Sequence, residues 1–304
     1  MQQPFFCSEL SRRAGEKTFG SASTGAVWLL LEYAGAWGPK ALEQSALAPE
    51  VKASLQRTLA AIPRSRLLFI KRGRAGGETF SFFVVRPRER DPFAVRYELD
   101  SYARLPELDV ARAASGDPGT AGTLTREPVF LVCTHGRRDK CCAKFGVPVY
   151  NALRECEPGR RQVWQSSHVG GDRFAANLVC FPHGLFYAHM TEETGQRAAA
   201  EYAAGRLLLD KYRGRACYAH PAQAAEFFTR AETGLAGLDE LRFHSSERAG
   251  ERSWRVRFRG PSALYEAEVS RHFSDFHNQL TCHSEDATRV PQFALDGFRV
   301  HRNF

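Results

Sequence analysis

The first long apolar run in the chain is AVWLLLEY (26–33), bounded by Thr24-Gly25 and Gly35, and its bulky side chains predict a buried strand. Val51, Leu55, Leu59 and Ile62 then recur at intervals of three and four between Pro49 and Pro63, which is the spacing of one helix face. RLLFIKR, TFSFFVVRP and AVRYEL follow as short aromatic and aliphatic runs parted by glycine- or proline-bearing turns, so this part of the chain predicts β-α-β-β-β. The stretch SGDPGTAGTLTRE (115–127) reads as a linker or long surface loop, and a domain boundary is placed there.

Beyond it, PVFLVCTHG predicts a strand that ends at Cys133 and opens into a polar loop. A helix is predicted to start near Pro148, with Val149, Leu153 and Cys156 on one face. RQVWQSSHVGGDRF reads as a strand entering a glycine-hinged loop, and NLVCFPHGLFYAHM as a hairpin turning at Pro182-His183-Gly184. TEETGQRAAAEYAAGRLLLDKYRGR opens with a helix start signal. WRVRFRG, LYEAEVSR and PQFALDGFRV complete the chain as strand patterns.

The whole predicts an α/β protein with three regions: an N-terminal α/β region (1–120), a domain with a mixed sheet flanked by helices (121–235) and a small β-rich extension (236–304). The two β-α-β-β arrangements invite the idea of a duplication, but their residues do not match.

Composition changes this picture little. A chain of 304 residues with 43% hydrophobic and 25% charged content can bury a real core. It contains no uninterrupted apolar run long enough to span a bilayer, and its start lacks the basic-then-apolar pattern of a secretory signal, so a cytoplasmic location is expected. The formal charge of +8 comes from scattered arginines with acids among them, which argues against nucleic acid as a partner. Eight cysteines in a chain of this length suggest free thiols or metal ligands rather than a disulfide framework.

Those cysteines carry the candidate chemistry. FLVCTHGRRDKCCAKFG places Cys133, Cys141 and Cys142 around His135 in a segment leaving a strand, and SSHVGGDRF sets His168 four residues before Asp172 across Gly170 and Gly171. Thiolate and imidazole are the ligands that iron and zinc prefer, and a carboxylate can complete a set. Glycines let backbone approach a cluster closely and aim N–H groups at it.

The combination C-x-H-G-x-R-D-x-x-C, here Cys133, His135, Gly136, Arg138, Asp139 and Cys142, followed by Ser167, His168, Gly170 and Gly171, resembles the sucrase/ferredoxin-like family. The likeness runs along much of 24–230. It implies a thioredoxin-like fold for 121–235 and a 2Fe-2S cluster held by two cysteines and two histidines. By position these are Cys133, Cys142 and His168, with Asp172 where the pattern has its second histidine. His135, Gly170 and Gly171 would then adjoin the cofactor, and the partner would be another redox protein.

Three functions stay open at this stage. An electron carrier needs cluster ligands and an exposed edge. A thiol-redox protein would pair Cys133 with Cys141 or Cys142, though no Cys-x-x-Cys motif is present. A zinc-binding or scaffold protein would use Cys133, Cys142, His168 and Asp172 around one ion, or keep the fold with no cofactor. No paired carboxylates of a glycosidase are evident, so a carrier is expected rather than an enzyme. Cys156 and Cys180 read as core residues, and Cys7, Cys217 and Cys282 have no partner at a trusted spacing.

Overall fold

A computed structural model describes residues 5–73 and 78–302. The chain opens with α1 (Cys7–Arg13), then forms β1 (Val27–Glu32), α2 (Pro49–Ala61), β2 (Ser65–Lys71), β3 (Phe80–Arg86), β4 (Phe93–Leu99), α3 (Val110–Ser115) and β5 (Gly122–Thr125). Pro49 sits in the first turn of α2, where a missing N–H costs nothing. Val51 and Leu55 of that helix pack with Leu29 and Leu31 of β1, each such buried side chain contributing about 2 kcal/mol. The stretch predicted as a loop over 115–127 holds a strand: β5 pairs antiparallel with β4 from Ala94↔Thr125 to Tyr97↔Gly122.

The next elements are β6 (Val129–Cys133), α4 (Lys140–Glu155), β7 (Val163–Ser166), β8 (Leu178–Phe181), β9 (Leu185–Tyr187), α5 (Glu192–Ala203), β10 (Tyr212–Arg215) and α6 (His220–Thr233). The hairpin turns at Pro182-His183-Gly184 as predicted. The helix predicted from Pro148 instead begins at Lys140 and carries Pro148 inside it, because Asp139 caps its first turn by accepting from Cys141 N–H at 2.8 Å. That shift places both neighbouring cysteines on a helix.

The strands form one sheet in the order β10-β9-β8-β6-β7-β2-β1-β3-β4-β5. Within it, β6 runs parallel to β7 and antiparallel to β8, and β8 antiparallel to β9, which is the thioredoxin-like order. The first half repeats this arrangement: β1 is parallel to β2 and antiparallel to β3, with β4 and β5 beyond. Two units of the same topology therefore meet edge to edge, where β2 and β7 pair antiparallel through Ile70↔Ser166 and Lys71↔Gln165. The duplication that the residues do not reveal is present in the strand order.

One face of the sheet is covered by α2 over the first unit and by α4 and α5 over the second. On the other face the sheet packs against itself. Four strand steps separate β1 from β8, about 19 Å in a flat sheet, yet the rings of Trp28 and Phe181 lie 5.5 Å apart. Phe83 of β3 likewise meets Trp164 of β7 at 5.9 Å. The sheet is thus strongly curled, and Cys133 and Cys142 belong to the core inside the curl.

A separate antiparallel sheet follows, β11 (Arg242–Arg248), β12 (Ser253–Arg259), β13 (Leu264–Asn278) and β14 (Thr288–His301), in the order of the chain. Val256, Phe258, Ala267 and Val269 of this sheet pack against Ala222 and Ala225 of α6. Within α6, Glu226 is wholly buried and holds the equally buried Arg215 at 2.9 Å and Arg230 at 3.1 Å. Among the described residues, no helix is long and apolar enough to cross a membrane.

The β8–β9 turn carries a pH dependence. His183 Nδ1 lies 2.6 Å from the Tyr202 hydroxyl, and burial, helped by Arg215, lowers the ring's pKa from 6.5 to about 4, with Asp239 opposing and Arg242 adding to the shift. Below pH 6.5 the unfolded chain takes up a proton that the folded one refuses, so stability falls from there down to about pH 4. Urea unfolding should show a loss on the order of 2 kcal/mol from this residue between about pH 7.5 and about pH 5. His183→Asn should flatten that part of the slope while leaving the contribution of His189, whose pKa burial lowers to about 3. An unchanged slope would mean that His183 is protonated in the fold.

Candidate metal centre

The site forms where the second unit's first strand and first helix meet. β6 is buried along its length and delivers Cys133 at its end. Asp139 then starts α4, placing Cys141 and Cys142 in the first turn, where successive side chains point about 100° apart. Cys142 turns toward Cys133 and Cys141 turns toward Cys7. The two cysteines point apart as expected, by helical rather than extended geometry. Gly146, one turn later, allows this close approach, because a methyl group there would collide with the Cys133 carbonyl.

His168 comes from the segment after β7, and its position is set from three sides. Its N–H donates to His135 Nδ1 at 3.2 Å, while Nε2 of the buried His135 contacts the Gly38 carbonyl at 2.9 Å. His135 therefore orients the backbone of His168. Ser167, just before it, donates its N–H to the Phe69 carbonyl at 2.7 Å and accepts from Phe69 N–H at 2.9 Å. Just after it, Gly171 has φ +82°, and a side chain there would run into the Arg213 guanidinium. Arg213 is buried and donates to the Gly170 carbonyl at 3.1 Å and to Asn177 Oδ1 at 2.7 Å. Gly170 and Gly171 thus fold the loop tightly over a buried cation.

Together these elements bring one donor atom each of Cys133, Cys142 and His168 within 4.8 Å of one another. Cys133 and Cys142 are buried, whereas the His168 side chain is 24% exposed. Asp172, itself buried, places Oδ1 2.9 Å from His168 Nδ1 and 3.4 Å from Cys142 Sγ. The His168–Asp172 contact is at ion-pair distance without the alignment of a full hydrogen bond. It leaves Nε2 as the ring nitrogen available to a metal, the arrangement of a carboxylate-oriented histidine ligand.

The electrostatics suit a thiolate-binding centre. Hydrogen bonding from Cys142, against the opposing effect of burial, holds the Cys133 thiol well below its ordinary pKa. The same contact, with burial, pushes Cys142 well above its own. Burial alone would lower His168, but Asp172 and Cys133 outweigh it and raise the ring to about 9. Metal ligation requires deprotonated groups, so it would have to draw a proton from Cys142 and from His168, whose hold on a proton these contacts raise.

Other sequence candidates fall elsewhere. Cys180 is in the core and Cys156 beside it. Asp139 is buried and caps the start of α4. Arg173 binds Glu16 at 2.7 Å. The buried cation behind the loop is Arg213, which nothing in YRGR distinguishes from a surface arginine. Sequence spacing likewise gave no reason to join Cys7 and Cys282 to Cys141, yet the fold does so. On the outside, a cavity of about 420 Å³ opens at His168, His135 and Ser167, with Arg138, Lys40 and Glu43 on its walls.

Comparison with known proteins places these residues in a wider group. A family model described as sucrase/ferredoxin-like matches residues 18–214, a span that includes Cys133, Cys142, His168, Asp172 and Arg213. No curated protein and no solved structure matches the chain.

Proposed function

The chain belongs to the sucrase/ferredoxin-like family, and from that premise we propose that it is an electron carrier whose Cys133, Cys142 and His168 hold a 2Fe-2S cluster. The observation that carries this reading is the convergence of two cysteines and one histidine within 4.8 Å at the end of β6, lined by buried apolar residues. Two sulfurs and an imidazole are a donor set that iron accepts, and such a centre, when bound, exchanges single electrons. The remaining residues bind, orient and exclude water. Asp172 holds the ring of His168 and adds negative charge beside Cys142, so it serves as the fourth ligand or as the group that orients the third. Arg213 supplies a buried positive charge that offsets the thiolates, and burial lowers its own pKa only to about 9.

An electron carrier also needs a way out for the electron. Of the three donors, His168 alone is partly exposed, and it faces the cavity that Arg138, Lys40 and Glu43 border. A redox protein docking there would meet the imidazole edge before either sulfur. Every step in this reading is met by ligands and an exposed edge, which is what an electron carrier requires, and none calls on a catalytic acid or base.

Protein prepared without oxygen, with iron–sulfur assembly supplied in excess, should be red-brown and contain iron and acid-labile sulfide in equal amounts. Colourless protein with zinc at this site, established by loss of that zinc in Cys133→Ser, would replace the cluster with a single structural ion.

A further inference from the structure

A second group of sulfurs lies on the other side of the α4 start, and two of its members fall outside the segment matched by the family. Cys7 opens α1, Cys141 is in the first turn of α4, and Cys282 lies in the turn between β13 and β14. Their Sγ atoms form a nearly regular triangle: Cys7 to Cys141 3.6 Å, Cys7 to Cys282 3.6 Å and Cys141 to Cys282 3.2 Å. Sulfurs bound tetrahedrally at about 2.3 Å from zinc lie about 3.8 Å apart, so the triangle needs to open only slightly to receive an ion. A disulfide would use two of the three and leave the third without its sulfur partners.

The surroundings are those of anionic sulfur. Backbone N–H groups point at two of the sulfurs, Ser8 N–H to Cys141 Sγ and Cys7 N–H to Cys282 Sγ, both at 3.5 Å. Both oxygens of the buried Asp139 lie 3.9 Å from Cys7 Sγ. Each oxygen already accepts one backbone N–H, from Cys141 at 2.8 Å and from Cys282 at 2.6 Å, and a carboxylate oxygen has a further lone pair. Phe5, Phe6 and Phe145 pack around the group, with the ammonium groups of Lys140 and Lys144 over the Phe6 ring at 4.9 and 3.5 Å. Soft ligands select zinc over magnesium or calcium, and these cations offset the excess negative charge that three thiolates and a carboxylate would leave around a divalent ion.

We propose that Cys7, Cys141 and Cys282, with Asp139 closing the set, bind one zinc-class ion that clips α1 and the C-terminal sheet to the start of α4. The ion would join residues 134, 141 and 275 positions apart in sequence, so it closes long loops, where a cross-link restricts the unfolded chain most. The site does not depend on the cluster reading, since it shares no ligand with Cys133, Cys142 and His168.

The test is therefore made in a Cys133→Ser/Cys142→Ser background, purified under reducing conditions and freed of loosely held metal by brief chelation. One zinc per chain is expected by elemental analysis. Cobalt exchanged into the site should give thiolate charge-transfer and tetrahedral d–d bands, and these should be lost in Cys7→Ser and in Cys282→Ser. Cys282→Ala, at a partly exposed turn, is the variant that keeps its fold by circular dichroism if Cys7→Ser does not. The unmodified protein should likewise carry one zinc per chain beside any iron. Three alkylatable thiols with no retained metal, or a disulfide between any two of them, would overturn the proposal.

Discussion

Serine at Cys133 or at Cys142 is expected to remove the iron and the visible absorption together, from one bound cluster to none, whereas serine at Cys156 or Cys180 leaves both in place. Serine replaces a soft sulfur donor with a harder oxygen that ionises far less readily. Cys156 and Cys180 lie with the opposite core and touch none of the three donors, so their replacement costs packing only. The informative control is Cys141→Ser. Cys141 is adjacent in sequence to a proposed ligand but turned by one helical step toward Cys7 and Cys282, so the absorption should survive its loss. A bleached Cys141→Ser beside a coloured Cys142→Ser would mean that α4 starts in a different register.

The second large effect lies in α6, outside the candidate site. Glu226→Ala is expected to destabilise the protein by about 3–5 kcal/mol in urea unfolding, because it leaves Arg215 and Arg230 as two buried guanidinium groups with no carboxylate between them. Glu226 also accepts from the Tyr212 hydroxyl at 2.8 Å, so a third buried polar group loses its partner. Burial would push the carboxyl's pKa up, but the two arginines outweigh it and hold it below its ordinary value, the sign of a charge held by its neighbours. Replacing Glu226, Arg215 and Arg230 together with apolar residues of similar volume should recover most of the loss, since the cost comes from unpaired charge and not from the missing pair. A loss in Glu226→Ala below about 1 kcal/mol would show that water reaches these arginines.

How far the sequence foretells this structure depends on where each signal resides. The strands of the curled sheet announce themselves because Val27 to Leu31 and Val129 to Cys133 are buried in unbroken runs, which leaves little else for them to be. β5 escapes because GTLT is an edge strand of small, partly exposed residues with the composition of a turn. The start of α4 is misread because Pro148 imitates a helix opening, while the actual opening depends on one aspartate side chain. The duplicated topology is hidden since the two units place different chemistry at the same point. Cys133 ends β6, whereas Glu32 ends β1 and bonds to Ser81 N–H at 2.8 Å. That Cys133, Cys142 and His168 come together follows from the family motif that the chain resembles. The places of Cys7, Cys282 and Arg213 do not, because only the folded chain brings them close.

The seam between the two units gives the cysteine-free half a part in placing His168. Among the described residues two pairs join β2 to β7, and the paired bonds between Phe69 and Ser167 extend that join to the residue immediately before His168. The core inside the curl, where Trp28 meets Phe181 and Phe83 meets Trp164, ties the same two halves together, so the place of His168 opposite the sulfurs on β6 and α4 rests on packing contributed by both units.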